Sequence, residues 1–310
     1  MTARPPNRPP ARRHDPVEPP DPIVPAGPSP VDLHAHSTRS DGVLEPAVLL
    51  AAAAEVGVRT FALTDHDTLA GCRDVIASGS IPHGLELIPG VEINAVMPDR
   101  ADLWESELHV LGFGMDLADE PFEAALVAQR GHRRERFERT VAILRGLGLG
   151  IDAQLARLDL RSDDALGRPT IARALIGAGH ASSVEDAFRR LIGRGCPAYV
   201  PRAGLGPVEA IAAIRAAGGV AALAHFREAV ERPEIVSELV EAGLEGLEVY
   251  YRSFDRPTTE AMRERAAELG LLATGGSDYH GDTGTYAEAH ARLWVPTEAA
   301  TAVARRIART

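Results

Sequence analysis

Residues 31–41, VDLHAHSTRSD, and residues 59–67, RTFALTDHD, decide how the chain is read. Each opens on the short apolar run of a buried strand and closes on histidine and aspartate. Between them LEPAVLLAAAAEVGV, residues 44–58, reads as a helix, with Pro46 in its first turn and Gly57 at its end. Strand, helix and strand recur outward from here. LELIPGVEINAV (85–96), ELHVLGFG (107–114), GGVAALAHF (218–226), LEGLEVYY (244–251) and LLATGGSDYHG (271–281) supply further strands, with PVEAIAAIRAAG (207–218) and TTEAMRERAAELG (258–270) as intervening helices. About seven short strands alternating with helices predict an α/β fold on a parallel sheet or barrel. The alternation lapses between Asp116 and Pro201, where FEAALVAQRGHRRERFERTVAILRGLG (122–148) and SVEDAFRRLIG (183–193) read as helices. Residues 120–200 are therefore expected to form a helical insertion between two barrel strands.

The first thirty residues, MTARPPNRPPARRHDPVEPPDPIVPAGPSP, carry too many prolines for a helix or a paired strand to propagate, and predict a disordered tail ahead of a domain spanning residues 31–310. Hydrophobic residues make up 45% and charged residues 25% of the chain, which fits a globular protein with a sizeable core. No apolar run is long enough to span a bilayer, and the proline- and arginine-rich start lacks the apolar stretch of a secretory signal. Cys72 and Cys196 are the only cysteines, which excludes a disulfide framework or a thiolate metal site and suits a reducing cytoplasm. The net charge of -11 argues against a partner as large as duplex nucleic acid, whose binding draws on many lysines and arginines. A small phosphorylated ligand stays compatible, because bound cations make a local positive focus inside an acidic protein.

Chemistry concentrates where strands end. His34 and His36 end the first strand and Asp41 lies in the loop beyond; His66 ends the second strand and Glu92 the third. His109 sits on the fourth, His225 ends the fifth, and Asp278 and His280 follow the seventh. In a parallel barrel all strand C-termini open on one face, so these groups converge. Taken singly, a histidine at a strand end is usually a hydrogen-bonded core residue. Burying six imidazoles and three carboxylates together without cations, however, leaves charges and donors unmatched at several kcal/mol each, on the order of the cost of any buried unpaired charge. His34 and His36 are two apart, so their rings share one side of the strand. Mixed imidazole and carboxylate donors suit Mn, Zn or Fe better than Ca or Mg. Cations held close together share a water, lower its pKa to give hydroxide near neutrality, and neutralise the phosphoryl oxygens it attacks. Ser37, Ser40 and Thr64 lack an evident triad and read as hydrogen-bonding neighbours; Asp65 and Asp67 read as supports of His66, Asp67 also as a helix cap.

DLHAHSTRSDG, TDHDT, GVEI, HVLGFG, GRPTIA, AYVP, LAH, GLEVYY and GSDYHG, in this order, resemble the successive motifs of the polymerase and histidinol phosphatase (PHP) superfamily. The resemblance is strongest to stand-alone members that dephosphorylate nucleotides or trim short 5'-phosphorylated RNA. It implies a distorted (β/α)7 TIM-like barrel with a trinuclear site of two or three divalent ions, Mn first, with Zn or Fe as alternatives. One ion would be held by His34, His36, Glu92 and Asp278, a second by Glu92, His109 and His225, and a third by Asp41, His66 and His280. Glu92, Asp41 and His66 are the implied catalytic residues, and Arg168, with Asp41 and His66, the implied substrate contacts. Arg168 is the second residue of GRPTIA, where the family pattern has His at the position of Thr170; LAHF has Phe226 where proline is common. Arg130, Arg133, Arg134 and Arg136 are expected on a solvated helix face, with one of them a candidate to reach substrate. The expected activity is metal-dependent hydrolysis of phosphate esters of nucleotides or short 5'-phosphorylated oligonucleotides. Alternatives are a histidinol-phosphate phosphatase, whose cationic substrate would want an acidic pocket, and a non-catalytic metal-binding module, which filled ligand positions disfavour.

Overall fold

The computed structural model describes residues 28–97, 100, 103, 107–157, 166–281 and 284–310. The proline-rich tail falls on residues 1–27, outside the described residues. Anchoring begins slightly ahead of the expected Val31: the buried Ser29 hydroxyl donates to Val31 O at 2.6 Å and accepts from Val295 N–H at 3.1 Å.

Seven strands, β1 (Val31–Asp32), β2 (Thr60–Leu63), β3 (Glu86–Val96), β4 (Glu107–Phe113), β5 (Val220–Leu223), β6 (Gly246–Tyr251) and β7 (Leu272–Gly276), form one sheet in sequence order. Backbone bonds from Leu33 N–H to Gly275 O (3.0 Å) and from His36 N–H to Tyr279 O (3.0 Å) bring the last strand back to the first, giving a nearly closed barrel. Closure depends on Gly276, since a Cβ there would lie 2.3 Å from the backbone N of His34. The distorted seven-stranded barrel is thus as expected, with one correction. β4 runs antiparallel to both β3 and β5, whereas β1–β2–β3 and β5–β6–β7 are parallel. β3 makes this possible by its length: Glu86–Pro89 pair with β2, and Gly90–Val96 pair with β4.

The barrel's main core joins Val91, Ile93 and Val110 of the sheet to Ile211, Ile214, Leu239 and Met262 of surrounding helices. Among the described residues between β4 and β5, Glu120–Gly146, Asp152–Leu155, Arg168–Gly177 and Val184–Ala187 are α-helices, and Phe188–Ile192 is a π-helix. The long helix Glu120–Gly146 starts where Asp119 accepts from Phe122 N–H at 2.7 Å, with Pro121 in the first turn. Its C-terminal half packs Phe137, Val141 and Leu144 against Ile171, Leu175 and Ile192, a small core separate from that of the barrel. This helical segment therefore carries its own apolar support. Among the described residues no helix is long and apolar enough to cross a membrane.

Candidate metal centre

His34 and His36 follow β1 and are fully buried, separated by Ala35, whose N–H is held by Thr64 Oγ1 at 3.1 Å. The pleat puts both rings on one side, and their Nε2 atoms stand 3.1 Å apart. Glu92, also fully buried, lies between them and the other strands. Its Oε2 is 3.1 Å from Nε2 of both His34 and His36 and 3.2 Å from His66 Nδ1. Its Oε1 is 2.7 Å from His109 Nδ1 and 3.2 Å from His225 Nε2. Asp278 Oδ1 lies 3.3 Å from His34 Nε2 and 3.2 Å from His36 Nε2. At the rim, Asp41, 42% exposed, lies 3.2 Å from His280 Nε2 and 3.8 Å from His66 Nε2. All nine groups singled out in the sequence thus meet in one cluster. Glu92 does not end β3 as expected but lies within it, because the strand runs on to Val96 in antiparallel pairing with β4, and His109 likewise comes from within a strand that runs against its neighbours rather than from a parallel strand's C-terminus.

The cluster's electrostatics fit cations. Burial alone would raise the Glu92 carboxyl, but the imidazoles of His34, His66 and His109 hold it well below the ordinary range. Burial likewise opposes a charged His109, which Glu92 and Glu107 nevertheless push up to about 10. Without cations, protonated imidazoles must therefore serve as counter-ions to the carboxylates. Two buried atoms facing the cluster, His66 Nδ1 and Asp278 Oδ1, make no hydrogen bond. Donor atoms of His34, His36, Glu92 and Asp278 all lie within 4.8 Å of one another, as do those of Glu92, His109 and His225, and those of His36, Asp41, His66 and His280. The last group adds His36 to the trio expected there. Imidazole and carboxylate in this mixture are the donor set of Mn, Fe or Zn, so the residues present fit divalent metal. Strain gathers at the same place: Asp67 (φ 53°), His225 (φ 29°) and Asp278 (φ 47°) are the non-glycine residues with left-handed backbone among those described.

The supports are partly those expected. Ser37 and Ser40 donate to Asp65 (3.0 and 2.9 Å), tying the loop after His36 to the loop before His66. Asp67 does not cap a helix. Asn94 N–H donates to it at 3.3 Å, and it forms an ion pair with Arg133. Two residues went unnoticed in the sequence. Glu248 of β6 is fully buried and reaches the far side of His34, and Tyr251 donates its hydroxyl to Asp278 Oδ2 at 2.9 Å. Both lie in GLEVYY, and an acidic residue inside an otherwise apolar buried strand was the available signal.

The arginines of the long helix form a solvated face only in part. Arg130 donates to Asp67 O at 2.7 Å and Arg136 to Val200 O at 2.8 Å, while Arg134 is 47% exposed. Arg133, Arg136, Arg168 and Arg202 wall a cavity of about 200 Å³ whose other side is Asp41, His66 and His109. Arg168 is 7% exposed, with its Cζ 5.1 Å from the centroid of Phe188, and so is no surface ion pair. Burial first, then the charges of Arg202 and Arg168, lower Arg136 to about 9. Glu107 offsets part of it, 2.6 Å from Arg202 Nε. Phe226 belongs to the main apolar core rather than to the pocket rim.

Comparison with known proteins agrees with this geometry. A family model described as the PHP domain matches residues 32–144. The 5'-3' exoribonuclease Rnm of Escherichia coli K12 is 32% identical over 273 residues, covering 86% of this chain and 89% of that protein. The 3',5'-nucleoside bisphosphate phosphatase of Chromobacterium violaceum is 30% identical over 258 residues, covering 81% and 87%. Among solved structures, a candidate metal-dependent phosphoesterase from Bifidobacterium adolescentis superposes with a TM-score of 0.73 at 30% identity, covering 89% of this chain and 95% of that one.

Proposed function

The chain belongs to the PHP domain family and is a metal-dependent phosphoesterase; from that premise we propose that it hydrolyses nucleotides carrying a second phosphate, or short 5'-phosphorylated RNA. The observation that carries this reading is that one cavity is lined both by Asp41, His66 and His109, the accessible members of the nine-residue cluster of metal-type donors, and by four arginines. The scissile phosphate belongs at the cluster, and a non-reacting phosphate belongs at Arg168 with Arg133, Arg136 and Arg202. Guanidinium forks match phosphate oxygens in pairs, and an anion there offsets the charges of Arg202 and Arg168 that add to the effect of burial on Arg136.

His34, His36, Glu92 and Asp278 would hold one cation, Glu92, His109 and His225 a second, and Asp41, His66 and His280 a third, with Mn the first choice and Zn or Fe alternatives. Such cations, when bound, acidify water to a nucleophile and neutralise charge developing on the phosphoryl group. Glu92 offers a separate oxygen to each of two groups of imidazoles and so fixes their spacing. Asp41 and His66 stand where cluster and cavity meet, which gives them the catalytic task of orienting the phosphate toward the attacking side. Tyr251 keeps Asp278 Oδ2 occupied and leaves Oδ1 turned inward. Both cysteines are free, which fits a cytoplasmic setting.

A histidinol-phosphate substrate is disfavoured by the same arginines, because its amine would meet their charge. Release of phosphate or nucleoside from 3',5'-bisphosphates, 5'-phosphorylated dinucleotides, nucleoside monophosphates and histidinol phosphate, measured with added Mn²⁺, decides between them. The expected order puts bisphosphates and phosphorylated dinucleotides first; preference for histidinol phosphate would overturn the assignment.

A further inference from the structure

Glu248 is fully buried in β6, next to the register shift at Glu248/Tyr250 where β6 meets β7. A carboxylate so placed costs several kcal/mol, on the order of any desolvated charge, unless both its oxygens are satisfied. Both are. His34 Nδ1–H donates to Oε1 at 3.0 Å, and the backbone N–H of His225 donates to Oε2 at 2.8 Å. These two partners belong to different donor groups, His34 with His36, Glu92 and Asp278, and His225 with Glu92 and His109. The remaining ring nitrogen of His34 points the opposite way, 3.1 Å from Glu92 Oε2. His225 holds a left-handed backbone, φ 29°, which a residue with a Cβ adopts only when its surroundings fix it.

We propose that Glu248 is a positioning residue for the metal centre: by accepting from His34 Nδ1–H it keeps the Nε2 lone pair facing the cluster, and by accepting from His225 N–H it holds the strained turn that aims the second imidazole. The inference rests on the metal-centre reading above and adds to it a carboxylate outside every donor group. Histidine can present only one nitrogen as a donor and the other as a ligand in its neutral form, so whatever binds Nδ1 decides what Nε2 can do. One side chain thereby sets the geometry of two cation positions at once.

Glutamine at 248 keeps the size and removes the double acceptor. If its carbonyl faces His225 N–H, its amide faces His34 Nδ1 and turns that atom into an acceptor, which places the ring proton on Nε2, toward the cluster. If it is flipped, the His225 N–H meets an amide donor instead. Either way one imidazole is misdirected. Mn²⁺ affinity, measured by titration of the metal-free full chain, should fall about 10- to 100-fold in Glu248→Gln. The Co²⁺ absorption spectrum of the loaded variant should change shape. Glu248→Asp keeps the charge but is too short to span both partners, so it should show a smaller loss of affinity and guards against a glutamine variant that does not fold. Wild-type affinity and an unchanged Co²⁺ spectrum in either folded variant would overturn the proposal while leaving the metal centre intact. A lowered metal-free midpoint with unchanged affinity would likewise overturn it, in favour of a structural role. A wild-type chain that binds no Mn²⁺ would sink the metal-centre reading itself, and this inference with it.

Discussion

Truncating Arg168 tests whether the arginine wall reads substrate or merely supports the insertion. The side chain is nearly buried, faces the same cavity as His66 and His109, and sits over Phe188 at 5.1 Å. A charge-assisted hydrogen bond to phosphate contributes about 1.5 to 3 kcal/mol, so Arg168→Ala should lower kcat/KM for a 3',5'-bisphosphate about 12- to 160-fold at roughly 1.36 kcal/mol per tenfold. Loss of the contact with Phe188 costs stability of about 0.5 to 2 kcal/mol, which a thermal midpoint reads separately. The internal control is p-nitrophenyl phosphate, whose single phosphate belongs at the cluster and which reaches little of the arginine wall. Its turnover should fall no more than about threefold, roughly 0.65 kcal/mol in rate, and bound metal should be unchanged. Lysine should recover part of the loss, restoring charge without the fork. Equal losses on both substrates, or a lowered midpoint with normal kinetics, would refute the reasoning and return Arg168 to a structural role.

Glu92→Gln should cost more than any other single change at the cluster, because its two oxygens approach five imidazoles. Removing one member of a buried charge cluster costs about 3 to 5 kcal/mol, and metal analysis should find fewer cations per chain; full occupancy with full activity would contradict the bridging role. The metal-free protein should lose stability as pH rises. Burial would lower His109 and His280, but Glu92 and Glu107 about the first, and Asp41 and Asp278 about the second, raise both to about 10. Folded values above the free imidazole's roughly 6.5 mean that this stabilisation is complete below that pH and is lost as pH approaches 10. The thermal midpoint should fall over that window, and the stabilisation by added Mn²⁺ should grow over it, since cations displace those protons; a flat metal-free profile would count against the charge assignment.

Much of the site was legible because the barrel's geometry is legible. Once His34, His66 and His225 are read as strand ends, convergence follows from topology, and the three-residue pattern His34-Ala35-His36 needs only the pleat. What did not follow was direction. Nothing in ELHVLGFG distinguishes a strand running with its neighbours from one running against them, so His109 was placed in the right cluster for an incomplete reason. The arginines of the long helix were misread because a helix face with Arg130, Arg133 and Arg136 looks solvated until Asp67, held in a left-handed turn beside His66, supplies the partner that draws it inward. Glu248 was missed because a strand acid announces burial only once its neighbours are known to be buried on both faces.

The central claim is that the nine clustered side chains hold divalent cations together, and anomalous diffraction at the Mn edge from crystals grown with Mn²⁺ tests it most directly. Two or three peaks are expected, within coordinating distance of His34, His36, Glu92 and Asp278, of Glu92, His109 and His225, and of Asp41, His66 and His280. A cluster without anomalous density in crystals of protein that still hydrolyses nucleotides would contradict it.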